Sequence, residues 1–179
     1  MKSEECEDCF QYKHPGPSSS FFTGDKVDVI FIFISPTRIT ISRGESLGPL
    51  LKESMKRIGL TSYGLTNAWK CMLDGSAKHA GNGECNLHPY CLKVLTGEIN
   101  THRPLLLVSM GTAVMETVTF YPYNVYKYPG RVGIADRLGD YPLMPMMHPS
   151  NQEILKRWMN EWNEGFSKLK EVLLNGISI

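Results

Sequence analysis

The sequence has no long apolar run: its hydrophobic residues never approach the roughly 20 in succession that a membrane-spanning helix needs, so no membrane partner is expected. It has no excess of either charge. Nineteen Lys and Arg stand against eighteen Asp and Glu, a formal charge of +1. That balance excludes a protein that coats nucleic acid by bulk electrostatics, while leaving room for one local basic groove. There is no internal repeat and no low-complexity tract. The segment from Met1 to Phe10 is acidic and carries cysteine, unlike a secretory signal peptide. The expectation is a cytoplasmic, monomeric chain whose thiols stay reduced.

What is present fits one domain over residues 1–179, since 42% hydrophobic residues over this length bury a core without disulfides. Residues 1–24 form an arm, rich in Pro, Gly and Ser from His14 to Ser20 and expected to be irregular. Lys26 to Ile34 is a continuous β-branched and aromatic run, stopped by Ser35-Pro36, as in a strand buried on both faces. Three shorter strands are expected at Tyr63–Trp69, Leu105–Met110 and Leu143–Met147. Helical spacing marks Gly48–Ile58, Tyr90–His102, the short stretch from Thr112 to Val118, and Asn151–Leu174. In the last, Ser150 is the expected cap and Ile154, Trp158, Trp162, Phe166 and Leu169 form one stripe. Met72–Glu84 and most of residues 121–142 are expected as loops. Strands alternating with helices predict a three-layer α/β/α fold around a central four-stranded parallel sheet. Ligands of such sheets bind outside the carboxyl ends of the strands, and that is where Ser35, Asn67, Thr112 and His148 fall.

The five cysteines are Cys6, Cys9, Cys71, Cys85 and Cys91. In a reduced compartment a C-x-x-C pair points to metal or redox chemistry. A pair on a leading arm, with further thiols on the domain, suits four-sulfur ligation of zinc or of a [4Fe–4S] cluster.

Taken together these features resemble the type 4 iron–sulfur branch of the uracil-DNA glycosylases. The resemblance runs from Cys6 to about Ser150. It comprises the C-x-x-C arm and a buried strand ending in a Pro-containing loop, Ile34-Ser35-Pro36-Thr37. Next come Gly48-Pro49-Leu50-Leu51 at a helix start and Thr66-Asn67-Ala68-Trp69-Lys70-Cys71 at a strand end. Arg103-Pro104, Gly111-Thr112-Ala113 and His148-Pro149-Ser150 complete it. The resemblance implies a DNA partner, single- or double-stranded, with the target base flipped out of the stack. It implies a structural [4Fe–4S] cluster on Cys6, Cys9, Cys71 and Cys91, with Cys85 the substitute ligand and zinc the runner-up metal. Asn67 would read the pyrimidine edge, and His148 would stabilise the charge that builds on the base O2 as the glycosidic bond breaks. Ser35, Pro36, Thr37 and Arg43 would line the pocket beside Asn67. Arg38, Lys70, Thr112 and Ser150 would contact the DNA, the basic ones at phosphates.

The loop departs from that family, which has Gly-Glu-Ala-Pro-Gly there. Aligned on Pro36, Ile34 stands at the acid position, Phe33 at the first glycine and Thr37 at the last; Arg43 replaces the stacking phenylalanine. An acid of this kind contributes roughly 10²–10⁴-fold. Three readings follow: a glycosylase-like enzyme acting weakly on plain uracil or on a modified pyrimidine, a silent base-binding module, or an interaction factor using the tyrosine-rich segment Tyr121–Tyr128.

Overall fold

A computed structural model of the chain describes residues 20–34, 49–70, 87–120, 130–148 and 159–176. In chain order these hold β1 (Phe21–Phe22), β2 (Val29–Phe33), α1 (Pro49–Ile58), β3 (Tyr63–Asn67), α2 (Pro89–His102), β4 (Leu106–Met110), α3 (Thr112–Val118), β5 (Gly133–Ala135), a single 3-10 turn, β6 (Tyr141–Met146) and α4 (Met159–Asn175).

The strands make one sheet in the order β1-β3-β2-β4-β6-β5. Its four central strands, β3, β2, β4 and β6, run parallel. They are the four read from the sequence. The expectation of a purely parallel sheet needs correction, because β1 and β5 add antiparallel edges and make the sheet mixed. Pro145 is tolerated in β6 because its residue lies beyond the reach of β5, whose pairing ends at Leu143.

Residues of β2 and β4 are buried throughout, which is why their sequences are apolar without alternation. Their side chains feed two cores. Phe31, Phe33, Val108 and Met110 join Met144 and Met146 under α1 and α4. Ile30, Ile32 and Leu107 pack on the other face under α2 and α3, with Leu95, Ile99, Val114 and Val118. Trp162, Phe166, Leu169 and Val172 form the buried stripe of α4, and Trp162 Nε1 donates to Ser54 Oγ of α1 at 2.9 Å. The three-layer α/β/α arrangement is thus present.

Local chemistry sets the helix ends. α1 begins at Pro49, where a missing N–H costs nothing, ends with Lys56 and Arg57 at the negative pole of the dipole, and stops at Gly59, φ +75°. In α2 the His88 ring accepts the Tyr90 N–H before Pro89 starts the helix, and Arg103 closes it in the left-handed region ahead of Pro104. The start of α4 expected at Asn151, with its Ser150 cap and the stripe residues Ile154 and Trp158, lies outside the described residues. No described helix is long and apolar enough to cross a membrane.

Candidate active site at the strand ends

The four parallel strands deliver their carboxyl ends to one edge, and the order reverses around β2, whose neighbours are β3 and β4. That switch point opens the crevice in which doubly wound sheets hold ligands. Asn67 ends β3. It is paired in register with Phe33 at the end of β2, so the two side chains share a face of the sheet, the face covered by α1 and α4. Asn67 is only 5% exposed, and its Oδ1 meets no hydrogen-bond partner among the described residues. A buried acceptor left so costs about 1–3 kcal/mol, a debt that a ligand N–H can cancel.

His148 follows β6 by two residues. The Phe33 and His148 rings meet in a perpendicular, T-shaped arrangement, with ring centroids 5.7 Å apart and planes at 87°. Burial pushes the His148 pKa down, which favours the neutral ring at pH 7. Gly111 closes the gap between β4 and His148. Its φ of +95° lets its N–H reach Met146 O at 2.6 Å, and a Cβ there would already lie 3.4 Å from His148 Cβ. Thr112, half-buried, opens α3 immediately afterwards. β3, which Asn67 ends, and β6, which His148 follows, lie three places apart in the sheet, roughly 14 Å at the ~4.8 Å strand spacing.

The chain after Asn67 stays bonded to the end of β2. Ala68 N donates to Phe33 O at 2.7 Å and Trp69 N to Ile34 O at 2.9 Å. This curl turns Lys70 inward, contrary to the expectation that it faces phosphate. Its Nζ donates to Thr66 Oγ1 and Glu98 Oε2, both at 2.7 Å, and its side chain is 6% exposed. Burial lowers the ammonium's pKa, opposed by the adjoining Glu98 carboxylate. Cys91 is 4% exposed in the α2 core, and its Sγ accepts from Lys70 N at 3.5 Å. Among the described residues no three His, Cys, Asp or Glu side chains gather as a metal group. Cys6, Cys9, Cys71 and Cys85 lie outside those residues, as do Ser35, Pro36, Thr37, Arg38, Arg43, Ser150 and the Tyr121–Tyr128 segment.

Sequence reasoning did not single out Phe33 as a contact of His148. Part of the signal was available, since side chains along a strand point alternately to its two faces and Phe33 shares its face with Phe31. The same alternation sends Ile34, the residue at the family's acid position, the other way: it packs against the Ile30, Ile32 and Trp69 cluster under α2.

The uracil DNA glycosylase superfamily model matches residues 19–170, and the chain belongs to that superfamily. No curated protein matches the chain closely enough to count as a relative.

Proposed function

We propose that the chain captures a pyrimidine base swung out of DNA and hydrolyses its N-glycosidic bond, acting weakly on plain uracil. The observation that carries this reading is the buried Oδ1 of Asn67 at the end of β3, which meets no hydrogen-bond partner among the described residues. A uracil-type ring offers an imide N–H to that oxygen and a neighbouring carbonyl to the amide N–H. His148, neutral and held between Phe33 and Gly111, would donate to the base O2 as negative charge develops there. Leaving-group stabilisation of this type is commonly the largest single contribution, about 10²–10³-fold per donor.

Weak action on plain uracil follows from the loop. Ile34 packs on the face away from Asn67 and Phe33, so neither its chemistry nor its direction serves to activate water. The same placement favours a second reading, in which the pocket binds a base without hydrolysing it. A base-release assay over oligonucleotides carrying uracil and 5-substituted pyrimidines separates the two. Release of at least one such base supports the enzyme; Asn67-dependent binding with no release of any supports the silent module.

A [4Fe–4S] cluster on Cys6, Cys9, Cys71 and Cys91 belongs to this proposal. The fit rests on Cys91: its Sγ meets the amide of Lys70, the residue that precedes Cys71 in the chain, and N–H donors to ligand sulfur suit a cluster. The cluster would fasten the arm to the domain and take no part in the bond cleavage.

A further inference from the structure

Behind the pocket, on the α2 face of the sheet, lies a polar network that the reading above leaves unused. Thr66 and Asn67 are consecutive in β3, so their side chains point to opposite faces. Thr66 Oγ1 donates to Glu98 Oε2 at 2.5 Å, and Lys70 Nζ binds both Thr66 Oγ1 and the same carboxylate oxygen. Ser20, just before β1, donates to the other oxygen, Oε1, at 2.6 Å, and its Oγ lies 3.0 Å from Thr66 Oγ1. Glu98 of α2 therefore gathers three donors, from Ser20 and from the Thr66–Lys70 segment, around the residue next to Asn67.

A Lys–Glu pair buried to this depth is a poor source of stability, because apolar residues of the same volume commonly do as well. Its best attested use is to fix one arrangement among several. Here the arrangement fixed is the curl from Thr66 to Lys70, since the ammonium of Lys70 reaches back four residues to Thr66. We propose that Glu98 is a positioning residue for the base pocket, holding Thr66 and Lys70 so that the Asn67 amide keeps its place on the opposite face. The proposal rests on the reading of Asn67 as the base-recognising group. A displacement of about 1 Å in such a group can cost 10²-fold in rate.

The test uses the full chain with Glu98→Gln, Thr66→Val and Thr66→Ser, and three measurements. These are melting temperature, the ¹H–¹⁵N signals of the Asn67 side-chain amide, and single-turnover base release from a single-stranded oligonucleotide carrying deoxyuridine. Glu98→Gln and Thr66→Val should shift or broaden the Asn67 signals and lower the saturating release rate at least tenfold. The DNA concentration for half-saturation should change less than threefold. Thr66→Ser, which keeps the hydroxyl, should restore both signal and rate. Lowered melting temperatures with unmoved Asn67 signals and an unchanged saturating rate would make the network merely structural and overturn the proposal. If wild type releases no base, the enzymatic reading fails and the Asn67 signals still decide the positioning role. If Glu98→Gln does not fold, the Thr66 pair decides it.

Discussion

At the residue scale, burial alters the chemistry of His148. His148 is kept neutral by desolvation, so its pKa in the folded chain lies below the unfolded value of about 6.5. As pH falls below that value the unfolded chain takes up the proton first. The stability that His148 contributes is therefore complete above pH ~6.5 and is lost as pH falls through the lower folded value. Denaturant titrations at a series of pH values should show this acid-side loss in wild type and a smaller one in His148→Gln. Equal slopes in the two proteins would contradict the burial account. Ile34 makes the opposite kind of test. Its side chain belongs to the apolar cluster under α2, so Ile34→Glu should bury a carboxyl among Ile30, Ile32 and Trp69. The expected result is no gain in base release and a loss of about 1–3 kcal/mol or more in unfolding free energy. A substantial gain in release would mean that residue 34 reaches the pocket.

At the element scale, β1 is held by fit as well as by hydrogen bonds. A Cβ on Gly64 of β3 would collide with the Phe22 ring and lie 3.2 Å from Ile30 Cγ1. Phe22 cannot easily withdraw, because its ring is stacked on His102 at 3.6 Å. Gly64→Ala should therefore cost about 1–3 kcal/mol, read by chemical denaturation, with the protection of the β1–β3 amides lost first in hydrogen exchange. An unchanged stability would show that β1 is not seated as described. The central strands were legible because burial on both faces leaves unbroken apolar runs such as Val29–Phe33, bounded by Pro and Gly. The edge strands were not legible. Two residues, Phe21–Phe22, and three, Gly133–Ala135, are too short to display a period, and both sit in segments whose Gly, Pro and Ser signal loop. Asn67 and His148 could be singled out as candidates because polar residues stand out at the ends of such runs. Lys70 was misjudged because a cation near a strand end reads as surface until Glu98, 28 residues further on, is seen to meet it.

At the scale of the whole molecule, the two faces of the sheet carry different chemistry. One holds Asn67 and Phe33, with His148 against the Phe33 ring, and the other ties the β3 end to α2 and to the arm through Ser20, Glu98 and Cys91. If a cluster joins that arm to the domain, anaerobically purified protein should be brown, and Cys71→Ser should abolish the colour and lower the melting temperature. Colourless protein holding stoichiometric zinc would replace the iron–sulfur proposal with its runner-up. If Cys85→Ser removes the colour and Cys91→Ser does not, the ligand set is wrong. The central claim, a base pocket built from Asn67 and His148, is tested most directly by single-turnover release of uracil from single-stranded DNA. Wild type, Asn67→Ala and His148→Ala are to be compared side by side. The account predicts slow release by wild type, at least a hundredfold below that of a superfamily member with an intact acidic loop, and a further fall of about 10²-fold in His148→Ala. Release that is equally fast in all three proteins would contradict it.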